Sequence, residues 1–174
     1  MGKSIIFLDI DGVLATNLQF FMNRAKFWRK NPEMEELNVP YPWDKGAVDV
    51  FNEILDETDA EIVLSSDWRL HYSLSNLETI FKFNGVKKYP IAVTGEVFIA
   101  SGNLDMARAA EIGEYIKEHN ITNYVVIDDL NIGKYMVHTG DDDKYFATTN
   151  RDGVKKSGLK DKIINKLKSN ETNI

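Results

Sequence analysis

Residues 5–12 read Ile5-Ile6-Phe7-Leu8-Asp9-Ile10-Asp11-Gly12: four apolar residues, β-branched at the start, followed by two acids and a glycine. A run this short and continuously apolar suits a strand buried on both faces of a parallel sheet, which predicts a first strand over Ile5–Leu8. The same pattern recurs twice: Glu61-Ile62-Val63-Leu64 leads into Ser65-Ser66, and Tyr124 to Ile127 leads into Asp128-Asp129. Helical spacing fills the intervals. Asp44 stands where it can cap a helix with Ala47, Val48, Phe51, Ile54 and Leu55 on one stripe. Ser73 to Phe83 repeats Leu74, Leu77, Ile80 and Phe81, and Asp105 to His119 is expected to turn Met106, Ala109, Ile112 and Ile116 inward. Strands alternating with helices imply right-handed crossovers, hence an α/β fold built on a doubly wound parallel sheet. Gly158 to Lys168 carries Leu159, Ile163 and Leu167 at four-residue spacing and reads as a closing helix, with the last few residues frayed.

Composition narrows the class. A chain of 174 residues, 43% hydrophobic, can bury one good core, so a single domain over residues 1–170 is expected. With no cysteine there is neither a disulfide framework nor a thiolate zinc site, and a reducing cytoplasm fits best. The opening MGKSIIFLDIDG is too briefly apolar for a signal peptide or a membrane span, and a core strand starting at Ile5 leaves no free arm for lipidation at Gly2. A formal charge of −6 argues mildly against a tight duplex binder, the main lysine cluster lying late, from Lys155 to Lys168. His71, His119 and His138 show no metal-ligand spacing. Asp141-Asp142-Asp143 reads as a solvated turn; the sixth position of an EF-hand loop would be Phe146 there and Leu14 after Asp9, not glycine.

Residues 15–43 break the alternation. This stretch is rich in aromatic and basic side chains (Phe20, Phe21, Arg24, Lys26, Phe27, Trp28, Arg29, Lys30) and reads as a small insertion after the first strand, at the mouth of any site there. Its aromatics, with Trp43, suit either packing onto the core or stacking on a base beside Arg24 and Arg29.

In an open parallel sheet, ligands gather beyond the carboxyl ends of the strands, and here successive strands end in Asp9/Asp11, Ser65/Ser66 and Asp128/Asp129. One acidic pair alone is equally a helix cap or a solvated turn. Four carboxylates on one edge repel one another unless a hard divalent cation neutralises them, and magnesium is the natural occupant.

FLDIDGVL (residues 7–14), IVLSS (62–66) and VVIDD (125–129) resemble, in order and spacing, motifs I, II and IV of the haloacid dehalogenase (HAD) superfamily. IVLSSDWR, the R-x-x-E-I element from Arg108 to Ile112, YVVIDD and the late Gly158-Leu159 are similar to the HAD domains of Swiss Army Knife RNA repair proteins. The resemblance covers most of the chain except residues 15–43. It implies a HAD/Rossmann-like domain and a magnesium-dependent phosphomonoesterase. In that scheme Asp9 attacks phosphorus, Asp11 protonates the leaving oxygen and later activates water, and Ser65 binds the phosphoryl oxygens. Asp9, Asp128, Asp129 and the backbone carbonyl of Asp11 hold Mg2+. Gly12, Ser66 and Arg69 are expected at the substrate, although Arg69 equally suits anchoring Trp68 or pairing with a surface acid. For the cationic motif III residue the choice is Arg108, against the reading of a solvated helix residue, with Lys117 and Lys134 as alternatives. Substrates in keeping with the kinship are nucleic acid ends bearing a 3′- or 2′-phosphate; a free nucleotide or other small phosphomonoester is the alternative. Asp11 argues against a true dehalogenase, and the order of the acids against a two-component receiver. A HAD-fold binding module without catalysis is the remaining non-enzymatic reading.

Overall fold

The computed structural model describes residues 3–136 and 140–169, apart from the side chains of Leu18 and Phe20. Gly2, His138 and the last residues of the chain, on which expectations were stated above, lie outside the described residues, as does the Phe20 side chain. Five strands, β1 (Ile5–Leu8), β2 (Glu61–Leu64), β3 (Pro90–Val93), β4 (Tyr124–Asp128) and β5 (Tyr145–Ala147), form one sheet in the order β3-β2-β1-β4-β5. Every pairing is parallel. The chain therefore starts in the middle, winds outward to β3, and returns across β1 to β4, which puts the topological switch point between β1 and β4.

Alternation along the strands assigns the two faces. Ile6, Leu8, Ile62, Leu64, Val125 and Ile127 pack against α4 (Lys45–Thr58), α5 (Leu74–Phe83) and α8 (Leu159–Ser169). Ile5, Phe7, Val63, Tyr124 and Val126 pack instead beneath Ile112 of α6 (Leu104–His119) and Met136 of α7 (Gly133–Met136). Both faces being covered, these strands carry no polar alternation, as the apolar runs require. Asp44 caps α4 by accepting from the Ala47 N–H at 3.1 Å, and Ser73 caps α5.

Two features differ from the sequence reading, and a third, the stretch read as an insertion, gains its detail. β3 and β5 were not anticipated: they are edge strands of four and three residues, and Ile91 in β3 is 54% exposed. Helix α6 starts at Leu104 under an Asn103 cap, and Met106 faces outward, because Arg108 and Glu111 take the buried positions. Residues 15–43 form three short helices, α1 (Asn17–Phe20), α2 (Arg24–Lys30) and α3 (Pro32–Glu36). Phe27, Met34, Val39 and Trp43 of this stretch are buried in the same core as α4 and α5, with Trp43 edge-on to Phe81 at 4.8 Å. The excursion leaves and rejoins at one point, since the Asp44 N–H donates to the Leu14 carbonyl at 2.8 Å.

Candidate active site

Asp9 leaves β1 and is held beside β4 by its backbone N–H, which donates to the Ile127 carbonyl at 3.0 Å. Asp128 ends β4, fully buried, and Asp129 follows it half-buried. Carboxylate oxygens of Asp9, Asp128 and Asp129 lie within 4.8 Å of one another. Gly12, at φ +76°, makes this approach possible: a Cβ there would stand 2.3 Å from Asp129 Oδ2. The three acids share too little positive charge. Burial pushes the Asp9 carboxyl well above the ordinary range, Asp128 adds to the rise, and Arg108 opposes it. Burial likewise raises Asp128 and Asp129. Oxygen-only donors, crowded on a buried edge and short of compensation, fit a hard divalent cation such as Mg2+.

Arg108 enters from α6, buried. Its NH1 donates to Asp128 Oδ2 at 2.9 Å and stands 3.5 Å from Asp9 Oδ1, while NH2 meets Asp67 Oδ1 at 2.7 Å. Burial disfavours the charged guanidinium, but Asp9, Asp128, Asp67 and Glu111 together raise its pKa, so it is a fixed cation. Lys134 instead pairs with Asp105 at 3.2 Å over the Tyr135 ring, and Lys117 is exposed on α6; neither lines the pocket.

The two serines after β2 part company. Ser66 lines the pocket beside Asp9, where its hydroxyl opposes the rise of the Asp9 pKa. Ser65 is sealed, its Oγ without a hydrogen-bond partner among the described residues. Arg69 does not line the pocket. Its NH1 donates to the Ser65 and Ser66 carbonyls at 3.1 and 2.9 Å, and its NH2 pairs with Glu111 at 2.7 Å. Arg69 thus ties the serine loop to buried Glu111, and its NH1 also stands 3.6 Å from the exposed Asp67 carboxylate. Asp11 lines the same pocket but is not one of the three clustered acids: Tyr41 donates to Oδ1 at 2.8 Å and Trp68 Nε1 to Oδ2 at 2.9 Å.

The resulting pocket, about 200 Å³, is lined by Asp9, Asp11, Ser66, Asp67, Arg108, Glu111 and Asp129 on its polar side and by Leu104, Ala107 and Leu130 on the other. Tyr41 had not been singled out from sequence, and Asp67 and Glu111 had entered only as members of the IVLSSDWR and R-x-x-E-I elements, without a role. Only Glu111 had a local signal, as the acid three places after Arg108 on one helix face.

A doubly wound sheet whose first strand opens into an acid pair, opposed across the switch point by a second pair after the fourth, defines a haloacid dehalogenase-type domain. Within that class the chain belongs to the family described as the HAD domain in Swiss Army Knife RNA repair proteins, which matches residues 5–159. That membership carries a hydrolase function of the general HAD phosphatase type. No curated protein and no solved structure gives a match. No helix among the described residues is long and apolar enough to cross a membrane.

Proposed function

We propose that the protein is a magnesium-dependent phosphomonoesterase that works through an aspartyl phosphate on Asp9 and acts on nucleic acid ends bearing a 3′- or 2′-phosphate. The observation that carries this reading is the convergence of Asp9, Asp128 and Asp129 on one buried edge, with the Arg108 fork against two of them.

An Asp9 oxygen attacks phosphorus as the bond to the leaving oxygen breaks, and Asp11 gives its proton to that oxygen. Asp11, now a carboxylate, takes a proton from water; the water oxygen attacks phosphorus, inorganic phosphate departs, and Asp9 is regenerated. Arg108 and the Ser66 hydroxyl bind the phosphoryl oxygens, and Gly12 keeps the backbone close to them. Asp9, Asp128, Asp129 and the Asp11 carbonyl would hold Mg2+, whose charge neutralises the acids and the transferring oxygens. Residues 15–43 act as a cap beside this edge.

The family's occurrence in RNA repair proteins supports a nucleic acid end as substrate. So does size: at about 200 Å³ the pocket is smaller than the ~300–1,000 Å³ that encloses a drug-sized ligand, so the rest of the substrate sits outside it. The test is phosphate release from 3′- and 2′-phosphorylated oligoribonucleotides, free nucleotides and p-nitrophenyl phosphate, with magnesium and then with chelator. Activity confined to the magnesium arm, highest on the phosphorylated ends, and lost in Asp9→Asn is expected. Full turnover in chelator, or an Asp9→Asn variant as fast as the parent, would overturn the mechanism.

A further inference from the structure

A second cavity opens on the excursion after β1. It measures about 520 Å³, with Met22, Phe27, Pro42 and Phe83 as an apolar floor and Lys26 and Lys30 at its wall. The two lysines are four apart on α2, so they stand on one helix face. Helix α2 carries Arg24, Lys26, Arg29 and Lys30 and no acid. Arg24 lies over the Trp28 ring at 5.3 Å, and among the described residues none of the four is ion-paired with a carboxylate. Elsewhere Lys45, Lys87, Lys88, Lys155, Lys160, Lys166 and Lys168 each pair with an acid, and Lys82, Lys117, Lys156 and Lys162, unpaired with any acid among the described residues, are spread over separate stretches of the chain. The acids nearest in sequence, Glu33, Glu35 and Glu36, sit on α3 and do not line the groove. In a chain of net charge −6, this is a local concentration of cations left uncompensated beside exposed apolar surface, including Phe21 at 87% exposure.

One step of chain links the groove to the residue that holds Asp11. Pro42 in its floor directly follows Tyr41, whose hydroxyl bonds Asp11.

Regularly spaced anions separated by flat apolar rings fit such a surface: the lysines take phosphates and the floor takes a base face. We infer that this groove binds the single-stranded nucleic acid segment adjoining the phosphorylated end. The inference builds on the proposed phosphatase reading for the placement of that end, but the binding itself requires no turnover.

The closing experiment is therefore a binding measurement on the full chain. Its probe is a fluorescent single-stranded oligoribonucleotide of about ten nucleotides with a 3′-hydroxyl, within the span usual for such grooves. The parent should bind it with an affinity that falls as salt rises. The Lys26→Glu/Lys30→Glu double variant, both positions exposed, should bind about tenfold or more weaker, its log–log salt slope shallower by about 0.7 per lost phosphate contact. Lys162→Glu on α8 is the control and should bind as the parent does. A measurement that needs no variant is acetylation mapping: bound strand should protect Lys26 and Lys30 and leave Lys162 reactive. Absent binding, unchanged binding in the double variant, equal binding of polyglutamate or anionic vesicles, or unprotected Lys26 and Lys30 would each overturn the inference. Strand binding without phosphate release from any ester would sink the phosphatase reading and leave the groove standing. Ester hydrolysis without strand binding would do the opposite.

Discussion

Tyr41 donates its hydroxyl hydrogen to Asp11 Oδ1 across 2.8 Å, joining the excursion after β1 to the loop that carries Asp9. With Trp68 Nε1 on Oδ2 at 2.9 Å, both oxygens of Asp11 are held by aromatic donors. If Asp11 shuttles the proton, these donors set its orientation. Asp11→Asn should slow turnover by about 10²–10⁴-fold, the usual worth of general acid–base help. Tyr41→Phe, which leaves the Trp68 bond, should lower kcat by only about threefold to tenfold with KM little changed, since one neutral hydrogen bond is worth ~1 kcal/mol. Steady-state kinetics on p-nitrophenyl phosphate separate the cases, and an Asp11→Asn rate equal to the parent's would remove Asp11 from proton transfer.

Ser65 and Ser66 are adjacent yet should behave as opposites. Ser66 lines the pocket beside Asp9, where its hydroxyl would donate to a charged phosphoryl oxygen, so Ser66→Ala should cost about 10- to 100-fold in kcat/KM, from ~1.5–3 kcal/mol. Ser65 Oγ is buried without a partner among the described residues, so Ser65→Ala should keep its activity and lose no stability. Kinetics with thermal melts on both variants check this; the reverse ranking would assign the phosphoryl contact to Ser65.

Arg69 and Glu111 make a buried pair at 2.7 Å that ties α6 to the loop carrying both serines. Breaking such a pair by removing one partner strands a charge and typically costs about 3–5 kcal/mol. Glu111→Ala should therefore lower Tm by about 10 °C or more, and Arg69→Met/Glu111→Met should recover a large part of the loss. A melt of Glu111→Ala at the parent's temperature would show that water compensates the pair.

The legible parts of the molecule were those written in local pattern. β1, β2 and β4 are central strands buried on both faces, so each is an uninterrupted apolar run, and the groups that follow them had to meet at the carboxyl edge. The edge strands β3 and β5 are short and half-exposed and carry no such run. Met106 was misread because hydrophobic spacing assumes that inward positions are apolar, whereas α6 turns Arg108 and Glu111 inward to meet other charges. The contacts of Tyr41 and Trp68 with Asp11 span 30 and 57 positions of chain, and no local period records a pairing made by tertiary folding alone. Nor does a pair of serines at a strand end say which faces the pocket, since successive side chains there point to opposite sides.

Asp44 offers a pH test away from the acid pocket. Its carboxylate caps α4 through the Ala47 N–H, accepts from Thr16 Oγ1 at 3.0 Å, and pairs with Lys155 Nζ at 2.5 Å. Burial alone would raise its pKa, but the Lys155, Ala47 and Thr16 hydrogen bonds outweigh burial and hold it below the ordinary carboxylate value. The sign follows from linkage. A depressed folded pKa means that the unfolded chain binds the proton more readily, so the contribution is fully present above the unfolded pKa of about 3.9 and is lost as pH falls through the lower folded value. Asp44→Ala should lose the cap, about 0.5–2 kcal/mol at neutral pH, with a further loss from stranding Lys155. The gap in stability between parent and variant should then shrink as pH drops from 5 toward 2. Urea unfolding across that range measures it, and taking the difference cancels the titration of every other acid. A gap that stays constant to the lowest pH would mean that Asp44 acts by shape and neutral hydrogen bonding, with no contribution from its charge.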